Sequence, residues 1–259
     1  MAKKKILLLS DDLRMSSGVG TVSKNFVLGT IHKYDWVQAG GAIKHPEEGK
    51  IVDMNESIRK DTGVEDASLK IYPISGYGNQ ELVRNLINIE KPDAIMHYTD
   101  PRFWVWLYQM EHEIRQNIPI FYYNIWDDLP YPRYNENFYE SSDLIMNISK
   151  QTVNIVEQVC RNKPRTDWDC TYIPHGIPED TFFPIDKEDK ELESFRKKVL
   201  HNKDKDFIIF WNNRNIRRKL PSDVIMAYKT FCDQLPKEKA QKCLLLMHTA
   251  PKDQNGTDL

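Results

Sequence analysis

Short apolar runs at 5–9, 36–39, 69–73, 94–98, 120–124, 144–148 and 171–173 alternate with longer amphipathic stretches, and this alternation is the strongest constraint on the fold. A strand covered on both faces reads as an unbroken apolar run, while the crossover helix between two parallel strands needs only one apolar stripe. The pattern therefore predicts βαβ units in a mostly parallel sheet with helices on both faces. Helices are expected over 19–32, 80–90, 102–116 and 150–160. The polar, weakly periodic span 40–68 is expected to be irregular or briefly extended. Three prolines and a glycine between Ile173 and Pro184 forbid a continuous element there and mark a domain junction. The pattern then restarts, with a charged helix over 187–200, a strand over 207–211, a helix over 221–235 and a strand over 243–247. An α/β chain is expected, with two Rossmann-like doubly wound domains at 1–180 and 181–259. The stretch from 186 onward falls short of the roughly 100 residues that a self-standing domain of this class usually needs. The second domain is thus expected to be incomplete and the chain truncated.

Composition removes several functional classes. Lysine and arginine total 36 against 38 acidic residues, a net charge of −2, so extended contact with nucleic acid is not expected and any basic site must be local. Cys160, Cys170, Cys232 and Cys243 have neither C-x-x-C nor zinc-like spacing and read as reduced thiols. Lys3, Lys4 and Lys5 precede an apolar run, as in an export signal, but Asp11 and Asp12 end that run too soon. With no stretch as long as a membrane span, a cytoplasmic protein is expected.

Ser16-Ser17-Gly18-Val19-Gly20-Thr21 lies between the first strand and the first helix, where open α/β sheets hold their ligands. Glycines let a ligand approach the backbone, and the helix start offers unpaired N–H groups. A tight strand-to-helix turn also needs glycine for steric reasons alone, so both readings stand. A nicotinamide or flavin site is disfavoured. Ser23 stands where the third glycine of G-x-G-x-x-G would be, and the second strand ends Val37-Gln38-Ala39 without a ribose-binding acid.

The strand at 207–211 runs into Asn212-Asn213-Arg214-Asn215-Ile216-Arg217-Arg218-Lys219, ahead of a helix start at Pro221. Four cations at a strand exit before a helix amino terminus suit a phosphate or pyrophosphate. Arginine grips phosphate oxygens as a fork, and lysine adds a point charge. If the bond to that pyrophosphate breaks, these cations stabilise the charge growing on the leaving group.

In this order, the residues resemble the GT-B glycosyltransferases of family four (glycosyl transferases group 1), over essentially the whole chain. Gly18-Val19-Gly20 looks like the first-domain glycine loop. Ile173-Pro174-His175-Gly176-Ile177 with Phe183-Pro184 resembles the interdomain signature, and Arg214 with Lys219 resembles the pair that clasps the donor diphosphate. The resemblance implies a nucleotide-sugar donor on the second domain and a carbohydrate or other hydroxyl acceptor on the first. Transfer would occur in an interdomain cleft at His175 and Gly176, with retention of configuration, no metal and no further cofactor.

The chain also departs from the family. Asn124-Ile125-Trp126-Asp127-Asp128 stands where a histidine near the reacting sugar is usual. Asp127 is the candidate catalytic group there, to orient a sugar hydroxyl or the acceptor, and a helix or turn cap is the competing reading. Tyr122, Tyr123, Trp126, Tyr131 and Tyr134 offer stacking surfaces, part of which must be core. His97 reads as a core histidine, and Asp167-Trp168-Asp169, which mimics a metal-binding D-x-D, reads as a loop. The family's glutamate pair would fall past Leu259, so little or no transferase activity is expected of this form. The alternative is a non-catalytic nucleotide- or sugar-binding protein on the same scaffold. The sugar, base and acceptor stay open.

Overall fold

A computed structural model describes residues 2–166, 169–201 and 203–259. The chain divides into two compact units, Met1–Ile177 and Pro178–Leu259. The larger unit runs β1 (Lys4–Asp11), α1 (Gly18–Thr30), β2 (Tyr34–Gly41), β3 (Val52–Asp53), α2 (Asn55–Thr62), β4 (Leu69–Pro73), α3 (Gln80–Glu90) and β5 (Ala94–His97). It continues with α4 (Val105–Gln109), α5 (Glu111–Ile114), β6 (Ile120–Asn124), α6 (Glu136–Glu140), β7 (Leu144–Asn147), α7 (Lys150–Val159) and β8 (Cys170–Tyr172).

These strands form one sheet in the order β3-β4-β2-β1-β5-β6-β7-β8. Every pairing is parallel except β3 with β4. The period of two along β1 explains why both faces are dry. Ile6 and Leu8 join Val27, Ile31 and Trp36 on one face. Leu7 and Leu9 meet Val83, Leu86, Trp104 and Leu107 on the other. A further cluster of Tyr122, Tyr139, Ile145, Ile155 and Val156 lies under α6 and α7. Each buried aliphatic side chain contributes roughly 1.5–3 kcal/mol, so this stacking is the main support of the unit. The helices start on side-chain caps. Ser17 Oγ accepts the Gly20 N–H (2.9 Å), Asn79 Oδ1 that of Leu82 (3.0 Å) and Ser149 Oγ that of Thr152 (3.0 Å).

Two sequence expectations need correction. The helix expected over 102–116 is broken. A 3-10 turn at Pro101–Trp104, capped by Asp100, leads into α4, and Met110 then separates α4 from α5. Met110 has φ −108° and ψ 15°, and its N–H reaches only as far back as Leu107 O (3.2 Å). That tighter turn puts the Met110 side chain into the apolar cluster of Leu107 and Ile114. The span 40–68 holds the brief strand β3, as expected, but also a helix, α2. Helix α2 buries only Ile58 and ends on Gly63 in the left-handed region (φ 71°), so its periodicity is faint in the sequence.

The smaller unit holds α8 (Lys190–Val199), β9 (Phe207–Asn212), α9 (Pro221–Asp233), α10 (Lys237–Gln241) and β10 (Cys243–His248). Strands β9 and β10 form a parallel pair. Among the described residues of this unit, Cys243 and Pro221 are buried, whereas every Phe, Ile, Leu, Val and Met is at least partly exposed. A polar anchor takes over part of the work of a core. Asn215 is fully buried, donates to Ala250 O, Pro251 O and Thr257 O (3.2, 3.1 and 2.7 Å) and accepts the Thr257 N–H at 3.2 Å.

Candidate functional site

The larger sheet has one topological switch point. From β1 the chain winds outward through β2 and β4, then returns to β5 on the other flank of β1. Ligands of open α/β sheets lie outside the carboxyl ends of the strands at such a point. Asp11 and Asp12 stand at the exit of β1, and Tyr98, Thr99 and Asp100 at that of β5.

The two aspartates have opposite environments. Asp11 accepts from Ser17 Oγ (2.9 Å) and the Tyr77 hydroxyl (3.3 Å). Burial outweighs these bonds and raises its pKa. Asp12 is fully buried, and burial again opposes its charge. Here a fork from Arg14 (Nε 3.0 Å, terminal nitrogen 2.8 Å) and the Arg14 N–H (2.8 Å) prevail and lower the pKa. His45 Nδ1 accepts the Glu47 N–H (3.2 Å), which leaves Nε2 to donate to Asp12 at 3.1 Å. Glu47 completes the cluster on Arg14 at 2.8 Å. In the sequence, Asp11 and Asp12 stand out only as charges that end an apolar run. Their place at a strand exit was the available signal.

The glycine loop divides in function. Gly18, Val19 and Gly20 form the first turn of α1. A side chain on Gly20 would meet Met15 O at 2.7 Å and Asp12 O at 2.9 Å, so the steric reason suffices there. A side chain on Gly18 would meet nothing within 4 Å, so packing does not require glycine there. The second strand, expected to end at Val37-Gln38-Ala39, runs on to Gly41, so Gln38 lies inside it and the strand exits without an acid. Gln38 is buried, donates to Ser10 Oγ and Asp11 O (both 2.8 Å) and accepts the Leu13 N–H at 3.1 Å.

Across the switch point, His97 is a core residue. It is fully buried, stacked on Tyr122 (4.9 Å between centroids) and bonded to the Tyr108 hydroxyl at 2.8 Å. Burial holds its pKa at about 3, which keeps the ring neutral. The aromatic group separates into two sets. Tyr122 and Tyr123 are buried, while Tyr131 and Tyr134 are exposed and Trp126 is half-buried. Arg102, paired with Asp100, lies 5.0 Å over the Trp126 ring, and Trp126 meets Tyr134 edge to face at 5.7 Å. Asp127 is exposed, and its backbone oxygen accepts from Gln151 (2.9 Å). Asp128, not Asp127, makes the local turn bond, to the Leu129 N–H (2.9 Å). His175 sets its ring against Tyr123 (5.6 Å) and Tyr98 (6.3 Å), and desolvation by these neighbours lowers its pKa. Gly176 is unobstructed. Asp167 and Trp168 of the D-x-D look-alike lie outside the described residues.

In the smaller unit, Arg214 and Lys219 belong to the loop joining β9 to α9. Arg214 is held by Asp253 through Nε at 2.7 Å, and this pairing lowers the Asp253 pKa. Arg217, Arg218 and Lys219 form a 3-10 turn, and Leu220 (φ 49°) then turns the chain into Pro221, the first residue of α9. Among the described residues, no ion pair joins Arg217, Arg218 or Lys219 to a carboxylate. His248, at the end of β10, meets Asn212 at 3.0 Å beside this loop, a neighbour that no motif or spacing marks.

No protein-family description matches the chain, and no curated protein sequence does. Among solved structures it is similar to Anabaena Alr3699/HepE in complex with UDP and glucose. The TM-score is 0.57 at 11% identity, covering 95% of this chain and 62% of that one. The fold is of GT-B type, with the second domain shorter than the first. A second match, Medicago truncatula UGT71G1 complexed with UDP-glucose, has a TM-score of 0.44 at 11% identity, covering 95% of this chain and 72% of that one. Among the described residues, no helix is long and apolar enough to cross a membrane.

Proposed function

We propose that this chain transfers a sugar from a nucleotide-sugar donor to a hydroxyl acceptor, as a metal-independent, retaining glycosyltransferase of family four acting in the cytoplasm. The observation that carries the reading is the cationic loop between β9 and α9, set at a strand's carboxyl end directly before the 13-residue helix α9. That is where backbone N–H groups and fixed cations meet an anion. Arg214, pre-oriented by Asp253, and Lys219 hold the donor diphosphate and take up the charge that grows on it as the glycosidic bond breaks. The loop at Gly18 and Val19 receives the acceptor, with free space beside the Gly18 Cα and Gly20 shaping the turn. His175 and Gly176 line its path, and Asp127 orients its hydroxyl.

UDP, the nucleotide held by the similar Anabaena protein, is the first probe. Replacing both Arg214 and Lys219 by alanine should weaken UDP binding at least roughly tenfold, as loss of charge-assisted contacts does. It should also abolish any donor hydrolysis. Equal affinity in calorimetry for both proteins rejects the diphosphate site. A binding protein without turnover is the second reading, favoured by the neutralisation of Arg214 by Asp253. Nucleotide binding without hydrolysis or transfer selects it.

A further inference from the structure

A sizeable cavity of the larger unit lies away from the switch point. It is an open groove of about 790 Å³ between α4 and α5 on one wall and α6 on the other, floored by residues 163–165. Its lining has an uncommon charge balance. Three carboxylates, three permanent cations and His112 contribute, and each of these basic groups, His112 on Glu111 included, has an acidic partner. Arg115 pairs with Glu111 (2.8 Å), Lys163 with Glu140 (2.7 Å) and Arg165 with Asp169 (3.7 Å). Such a surface attracts neither an anion nor a cation over the other. It still presents many directed donors and acceptors, to which Gln109, Asn137 and Ser141 add uncharged ones.

One end of the groove is aromatic. Tyr134, 63% exposed, lines it together with Val105, and Tyr134 also meets Trp126, over which Arg102 lies. The groove therefore opens onto the exposed aromatic shelf beside the β5 and β6 exits. A pyranose fits both parts. Its C–H face packs on an exposed ring, and its hydroxyls exchange hydrogen bonds with amides and paired ions at no net charge cost. A phosphorylated or sulfated ligand would have to break the existing pairs.

We propose that this groove binds an uncharged oligosaccharide, with its end ring on Tyr134 and Trp126, as the extended part of the acceptor. The acceptor role rests on the sugar-transfer reading above, whereas the binding itself does not, and it is tested with no nucleotide present. The isotope-labelled full chain is titrated with neutral tri- to hexasaccharides, and in parallel with a sulfated oligosaccharide of matching length. The expected result is that a neutral oligosaccharide shifts the Gln109 and Asn137 side-chain amide signals. Tyr134→Ala, at an exposed site, should weaken that binding roughly five- to tenfold, in line with loss of one aromatic contact. Added salt should leave it unaltered, since no net charge is engaged. The proposal is overturned if no neutral oligosaccharide of the panel binds, if the shifts avoid the groove, or if the sulfated ligand binds more tightly. UDP binding measured on the same sample separates the two ideas. Intact UDP binding without glycan binding removes the groove alone, and the converse removes the donor site alone.

Discussion

The two units solve the same problem of stability by different means. In the larger one, alternate residues of β1 are buried on opposite faces of an eight-stranded sheet, and Trp104 and Tyr122 are fully enclosed. In the smaller one, two strands carry Phe207 and Phe210 at 49% and 61% exposure, and a buried asparagine ties the segment 250–257 to the loop that bears the cations. An apolar core is tolerant, because many contacts share the load. A single amide with four hydrogen bonds is not, because its loss leaves several backbone groups unpaired at once.

The largest expected effect is in the apolar unit. Trp104→Ala should cost roughly 3–5 kcal/mol, read from urea unfolding, because a buried indole leaves a cavity that a close-packed core cannot close. A loss below about 1 kcal/mol would break the contrast between the units. Next comes Asn215→Ala, expected to cost about 2 kcal/mol in the smaller unit. It should also raise hydrogen exchange across 250–257, while the larger unit keeps its midpoint. A shift of both units together would show that the anchor is not local.

A third test uses pH. Glu90 is buried beside Lys5 (3.0 Å), Lys70 (3.1 Å) and the Tyr72 hydroxyl (2.6 Å). Burial opposes its charge, but these bonds overcome it and hold its pKa at about 2. A depressed carboxyl pKa stabilises the fold above the unfolded value and loses that contribution as pH falls through the folded one. The larger unit should therefore weaken between about pH 4.5 and pH 2, by about 2 kcal/mol once solvent screening of the partly exposed Lys5 and Lys70 reduces the roughly 3.4 kcal/mol of the shift alone. Glu90→Gln should remove this part of the acid sensitivity, and an unchanged acid profile would assign it to other carboxylates. The smallest effect is expected for Phe210→Ala, within about 0.5 kcal/mol, since the ring is largely solvated already.

Much of the architecture was legible in the sequence, because strands buried on two faces leave an unmistakable trace. The runs at 69–73 and 120–124 coincide with β4 and β6, and 80–90 with α3. What escaped was encoded in pairings rather than periodicity. Met110 interrupts a stretch whose composition is helical throughout, because its side chain is drawn into the cluster around Leu107. Helix α2 buries one residue and has no stripe to read. The site was legible in part. Glycine at a strand exit signalled a close approach, yet only coordinates separate Gly20, which packing requires, from Gly18, which it does not. The grouping of Asp12, Arg14, His45 and Glu47 joins residues more than thirty positions apart, and no local spacing announces it.

Gln38 shows how a buried side chain can fix its own identity. Its NH2 group faces two oxygens and its own oxygen faces an N–H. A carboxylate in its place could accept from Leu13 but would bring no proton to Ser10 or to the Asp11 carbonyl. The direction in which protons point thus selects an amide at this position, because it alone ties the Asp11 carbonyl and the Leu13 N–H to one side chain at the end of the first strand.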